Sequence, residues 1–165
     1  NNNTYCHDSE LTWFDWNLVD QNSEMLTFVQ GLIAFRKAHQ ALRNRWHLTG
    51  RDTLGTGYPD ISWHGRQAWY PDWSAESRSV AFMLCGKHAR GGQQPDDYIY
   101  VAFNSDWQTH GFELPQLPDG RQWHVAVNTG AVGSSGIWQL GEEPRLEEQS
   151  HILLADRSSV VLVGH

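Results

Sequence analysis

The 165-residue chain carries a formal charge of −7, with 39% apolar and 19% charged residues, enough for one folded domain or a domain and part of another. Its twelve Lys and Arg form no basic stripe, which argues against a nucleic-acid partner, and no apolar run approaches the ~18 residues that cross a bilayer. Cys6 and Cys85 stand far apart in unlike contexts and read as two free thiols.

The chain opens on Asn1, Asn2 and Asn3 rather than on Met, and is expected to be a piece of a longer protein. From Ser23 to Leu42 the pattern is helical, because Met25, Phe28, Val29, Leu32, Ile33 and Phe35 recur three and four residues apart. Glu24, Gln30, Arg36 and Lys37 fall mostly on the other side. Asn22 or Ser23 is the expected N-cap, and Arg36, Lys37, His39 and Arg43 crowd the end where positive charge offsets the helix dipole. A single amphipathic helix must bury its stripe on something. It is expected to lie on the domain that follows, to associate with a second copy, or to be mobile.

After Arg45 the helical period stops and short β-rich runs begin, cut by Gly, Pro, Asn and Asp. The predicted strands are Ile61 to His64, Ser79 to Cys85, Tyr98 to Asn104, Thr109 to Leu114, Trp123 to Asn128, Ile152 to Ala155 and Ser159 to Val163. Residues 50–59, 87–97, 116–120 and 129–136 read as loops. Leu117-Pro118-Asp119-Gly120 reads as a turn joining two antiparallel strands, and Leu153 to Val163 as a hairpin around Asp156 and Arg157. About seven short strands point to a sandwich.

The sequence offers little catalytic chemistry of its own. Two carboxyl groups act together as acid and base only when they lie close to each other and one of them is held protonated. Asp8, Glu10 and Asp15 are the carboxylates of the opening segment, and their polar and aromatic neighbours offer no means of separating two pKa values; each reads as a loop hydrogen bond or a cap. The nine His include no i, i+4 pair and no nearby Cys pair, so no metal site is assigned. Gly91-Gly92 and the stretch from Gly130 to Gly136 lack the Lys of a phosphate cradle, Ser134-Ser135 has no adjacent base, and no cofactor is implied. Nine Trp are many for this length, and an aromatic ring serves either as a large core piece or as a platform for sugar and base faces.

The opening Asn1-Asn2-Asn3-Thr4-Tyr5-Cys6-His7-Asp8-Ser9-Glu10, with Leu11-Thr12-Trp13-Phe14-Asp15-Trp16, resembles the segment after the eighth barrel strand of isoamylase-type debranching enzymes. His7 stands where Gln is usual in that family and Ser9 where Asn is usual. The helix, with Phe28-Val29-Gln30-Gly31-Leu32-Ile33-Ala34-Phe35-Arg36-Lys37-Ala38-His39, resembles its last barrel helix. Ser62-Trp63-His64-Gly65, Pro71-Asp72-Trp73-Ser74, Val101-Ala102-Phe103-Asn104 and Arg157-Ser158-Ser159-Val160-Val161-Leu162 resemble elements of its C-terminal domain.

The resemblance implies a mainly β fold: an antiparallel β-sandwich of Greek-key type over residues 43–165. Residues 1–42 would precede it as the last loop and helix of a truncated (β/α)8 barrel. It implies a parent glycoside hydrolase of the α-amylase superfamily that cuts α-1,6 branch linkages in glycogen, amylopectin or limit dextrin, in a bacterial cytosol or a plastid. The family's Asp nucleophile, Glu acid/base and second Asp all precede Asn1, so the expected catalytic set here is empty. Asn3, Tyr5 and Cys6 are the expected substrate contacts, because loops at the C-terminal ends of barrel strands build the active-site face. A different class of function is a noncatalytic carbohydrate-binding module using Trp63, Trp69, Trp73, Trp107 or Trp138; a third is a structural domain without a ligand. Trp63 and Trp123 fall in strand patterns and are expected in the core or an interface, which leaves Trp69, Trp73 and Trp107, in or beside loops, as the ones free to meet sugar.

Overall fold

The computed structural model describes residues 5–89, 95–131 and 135–165; Asn3, Gly91, Gly92 and Ser134 lie outside them. A short helix α1 (Asn17–Gln21) leads into α2 (Ser23–Ala38), and a 3-10 turn covers Gln40–Arg43. The periodicity predicts one helix to Leu42, but it ends at Ala38. His39 turns extended (φ −95, ψ 111), and its Nδ1 lies 2.9 Å from the Asp96 carboxylate, a tie invisible to local pattern. The expected cap is also corrected: Asn22 makes no side-chain cap bond, and its amide donates backwards to the Leu18 carbonyl.

Among the described residues there are seven strands: β1 (Ile61–His64), β2 (Ser79–Leu84), β3 (Tyr98–Asn104), β4 (His110–Glu113), β5 (Trp123–Asn128), β6 (His151–Leu154) and β7 (Ser158–Gly164). They pair antiparallel into a five-stranded sheet, order β1-β2-β3-β7-β5, and a two-stranded sheet β4-β6. The chain leaves the larger sheet after β3 and after β5, and β7 returns between them, the non-sequential ordering of a Greek key.

Two expectations about turns need correction. The segment read as a hairpin around Asp156 and Arg157 is a corner: β6 pairs with β4 and β7 with β3 and β5, so the turn carries the chain from one layer to the other. Asn104 holds this corner, its amide donating to Gln108, Leu154 and Ala155 carbonyls from a buried position. Likewise the Pro118–Arg121 turn forms, with positive φ at both Asp119 and Gly120 and the Arg121 amide donating to the Pro118 carbonyl, but it links strands of different sheets.

The strand alternation builds two cores. Tyr98, Tyr100, Ala102, Trp123, Val125, Val160 and Leu162 face the second sheet and meet Phe112, Leu114, Ile152 and Leu154 between the layers. Ile99, Val101, Leu84, Ala126, Val127 and Val163 face the other way and meet Phe28, Leu32 and Phe35 of α2. The helix therefore lies on the sandwich, the first of the three expected outcomes. Gly31 permits the close approach, since a Cβ there would fall 2.7 Å from Ile137 Cδ1. Only part of the helix's apolar surface is used: Met25, Leu26, Val29 and Ile33 form a second stripe beside the first and remain exposed.

Candidate functional site

The opening segment is where the sequence places substrate contacts. Asn3 is not among the described residues; Tyr5 and Cys6 are consecutive in the left-handed region (φ 30 and 52), and Tyr5 is 80% exposed. Neither belongs to the grooves described below. Asp8 accepts from the Trp13 indole, and Asp15 accepts from the Asn17 amide and side chain, so both serve local bonds as their sequence setting indicates. Both cysteines are free, Cys6 exposed and Cys85 buried.

Ionisable groups that distance in sequence conceals do meet in space. His39, Asp96 and Asp97 bring candidate ligand atoms within 4.8 Å of one another. Their bonding is structural: Asp96 accepts from the Ala41 and Asp97 amides and lies against His39 Nδ1. Burial works to raise the Asp96 pKa, but the bonds from His39, Ala41 and Asp97 outweigh it and hold the carboxyl below its ordinary value.

The surface that gathers chemistry lies over the loop between β1 and β2, and its anchor is Ser62-Trp63-His64-Gly65. Strand alternation turns Ser62 and His64 inward and Trp63 outward. His64 is fully buried, and its Nδ1 accepts the Trp69 amide at 2.7 Å; Nε2 therefore carries the proton and donates to Ser62 Oγ at 2.9 Å. Burial of this neutral ring pushes its pKa down to about 4. The bond fixes Trp69 at φ 69, its ring edge-on to His64 with centroids 4.9 Å apart. Gly65 is required by the same loop, for a Cβ there would lie 2.6 Å from the Tyr70 carbonyl oxygen that accepts the Gly65 amide.

The loop thus anchored returns a second indole to Trp63. Trp73 meets Trp63 edge-on at 5.5 Å, and Trp63 rests on Phe82, its partner across β2, at 5.7 Å. Trp63 is 43% exposed and Trp73 66%, so of the two places expected for Trp63, core or interface, the core is excluded and the ring walls an open groove. That groove, about 570 Å³, is lined among others by Trp63, Asp72, Trp73, Ser74, Arg78 and Phe103. The Arg78 guanidinium also lies 4.7 Å from the ring centre of Trp107, which is 60% exposed. Asp72 accepts from the Ser74 amide, and the bonds from Ser74 hold its carboxyl below the ordinary range. A second groove of about 480 Å³, walled by Arg66, Tyr70, Glu113 and His151, shares Asp72 and Ser79 with the first.

The remaining tryptophans of interest divide by the same logic. Trp123, 1% exposed, is core as the sequence predicts, and its indole donates to the Pro115 carbonyl. Trp138 is half-buried against the inter-sheet core. Sequence reasoning had no signal that β1 would present Trp63 to the loop carrying Trp73.

A protein-family model described as "Isoamylase 1-3, C-terminal" matches residues 62–161. The glycogen operon protein GlgX homolog of Mycobacterium tuberculosis is 35% identical over 139 residues, covering 78% of this chain and 19% of the relative. Isoamylase 1 of Oryza sativa subsp. japonica, described as chloroplastic, is 36% identical over 130 residues, 79% of this chain and 14% of the relative. In structure, the pullulanase from Bacillus acidopullulyticus aligns with TM-score 0.55 at 16% identity, covering 92% of this chain and 15% of that one. Pullulanase type I from Bacillus subtilis, crystallised with maltose, aligns with TM-score 0.54 at 13% identity over 90% of this chain. The chain spans about a fifth or less of the length of the curated relatives it matches.

Proposed function

We propose, from the premise that the chain belongs to the isoamylase 1-3 C-terminal family, that it is the C-terminal part of an enzyme hydrolysing α-1,6-glucosidic branch linkages in glycogen or starch. In this reading the sandwich supports a (β/α)8 catalytic barrel, and residues 1–42 are that barrel's last loop and helix. The observation that carries it is the family match over residues 62–161, which spans five of the seven strands whole, together with all but the first residue of β1 and all but the last three of β7.

The unused stripe of α2 supports the division. A helix whose Phe28, Leu32 and Phe35 face one layer while Met25, Leu26, Val29 and Ile33 stay exposed has the pattern of an element between two layers. Trp13, Phe14, Trp16 and Leu18, just before it in the chain, are exposed as well. The occupant is the barrel, and self-association of this chain through the stripe is what its absence would permit. Asn3, Tyr5 and Cys6 would then contact sugar hydroxyls at the barrel rim. The setting is a bacterial cytosol or a plastid; no helix among the described residues is long and apolar enough to cross a membrane.

The test compares release of reducing ends from glycogen by this chain and by the longer polypeptide that carries it. The longer polypeptide is expected to debranch and the chain alone to do nothing, because it has no assigned pair of acids across a scissile bond. Turnover by the chain alone, or a longer polypeptide without debranching activity, overturns the reading.

A further inference from the structure

We infer that the groove between Trp63 and Trp73, together with Trp107 stacked on its Arg78, is a surface site for a linear stretch of α-glucan, separate from any cleft in which branches are cut. The inference rests on the α-glucan reading above and adds a second place where the polymer is held.

The chemistry of the groove selects the ligand. A glucose unit offers apolar C–H faces and an equatorial rim of neutral hydroxyls, so its complement is an exposed ring plus many short neutral hydrogen-bonding groups. The groove supplies both, with two indoles, Phe103, and the hydroxyls of Ser74, Ser77, Ser79 and Ser105. One cation and one anion, Arg78 and Asp72, leave it without net charge, which disfavours a phosphate backbone on a chain of charge −7. A helix from another protein is disfavoured by Asp72, Arg78 and the serines of the lining, which apolar side chains laid in the groove would strip of water.

The geometry is arranged before a ligand arrives. Trp63 is fixed on β1 against Phe82, and Trp73 is held edge-on to it. Trp107 is stacked on Arg78, so ordering these rings costs little on binding. The surface is also long enough for a polymer: the adjoining groove with Arg66, Tyr70, Glu113 and His151 meets this one at Asp72 and Ser79. A volume of about 570 Å³ falls within the range of ligand-holding clefts.

The experiment is gel electrophoresis of this chain through glycogen, through amylopectin, and through dextran as a polymer without the α-1,4 chain, with maltoheptaose titration for affinity. Retardation is expected in glycogen and amylopectin and not in dextran. Trp73→Ala and Trp107→Ala should each weaken maltoheptaose binding roughly tenfold, and Trp73→Phe should restore most of the loss. Both residues are exposed, so circular dichroism should show the fold intact. Trp46→Ala, at another exposed indole outside the groove, should change nothing. Absent retardation, equal retardation in dextran, or retardation indifferent to both groove variants overturns the inference. Debranching by the longer polypeptide is measured separately, so the groove can fail while the enzyme reading stands.

Discussion

The sandwich and the segment before it treat apolar residues in opposite ways. Between β1 and β7 the inward-facing large side chains of the strands find partners: Tyr98, Tyr100, Phe112, Trp123 and Leu162 are buried in one core, and Ile99 and Val163 in the other. From Tyr5 to Ile33 they largely do not. Tyr5, Leu11, Trp13, Phe14, Trp16, Leu18, Met25, Leu26, Val29 and Ile33 are all exposed, and Phe35 is the one buried residue of α2. Residues alike in hydrophobicity thus report different things. The sandwich carries its own stability, while the N-terminal segment presents a surface that this chain leaves uncovered.

The contrast breaks most easily at Trp123. Replacement by Ala removes a large buried ring packed on Tyr100 and leaves the Pro115 carbonyl without its donor. A loss of about 3–5 kcal/mol is expected, lowering Tm by about 10 °C, measured by denaturant or thermal unfolding. A loss below about 1 kcal/mol would mean that the inter-sheet core does not carry the fold.

Phe35→Ala probes the joint between the two regions. Its ring packs among sheet residues and against His39, at 4.4 Å between centroids, and its loss should cost about 3 kcal/mol. The cost should fall unevenly: amides of α2 should exchange faster with solvent while those of β3 and β7 keep their protection. Uniform loss across the sheet would show that helix and sandwich are one cooperative unit.

Below these lies a pH dependence confined to the sandwich. His64 is neutral when folded, with a pKa of about 4 against an ordinary 6.5, so the unfolded chain binds the extra proton. Stability should therefore fall as pH drops from about 6.5 to 4 and level off below that for this group, by about 2 kcal/mol after allowance for screening by water. His124, whose pKa is lowered by burial and by the neighbouring His165, acts in the same direction. Acidic unfolding curves of wild type and His64→Gln separate the two. An unchanged slope in the variant would remove His64 as the cause.

Most of this architecture could be read in the sequence because strands carry a two-residue signal. Ile61–His64, Tyr98–Asn104 and Trp123–Asn128 begin and end where the pattern puts them, since turn residues flank apolar runs. The misses came from partners far along the chain. Asp96 terminates the helix at Ala38, and Asn104 binds Leu154 and Ala155 to make a corner where adjacency suggested a hairpin. The groove was half legible: Trp73 and Trp107 were read as exposed, but a strand position hid Trp63, because one-sided burial of β1 depends on what its outer face meets. Asn3 lies outside the described residues, and the roles expected of Tyr5 and Cys6 belong to a surface on which this chain brings nothing to bear.

The smallest expected effect is the sharpest test of that surface. Met25, Val29 and Ile33 occupy successive turns of α2 beside the stripe that packs on the sheet, and each is at least two-fifths exposed. Replacing any of them by Ser in this chain should change stability by no more than about 0.5 kcal/mol, because a side chain already in water has little burial to lose. The same substitutions in the longer polypeptide should cost about 1–3 kcal/mol each if a barrel covers the stripe, since each would then place a hydroxyl where an apolar side chain was buried. The difference between the two backgrounds, read from paired denaturation curves, isolates the covering layer from helix propensity, which the two share. Equal small effects in both would mean that the stripe faces water even in the whole protein, and the assignment of residues 1–42 to a barrel would fall with it.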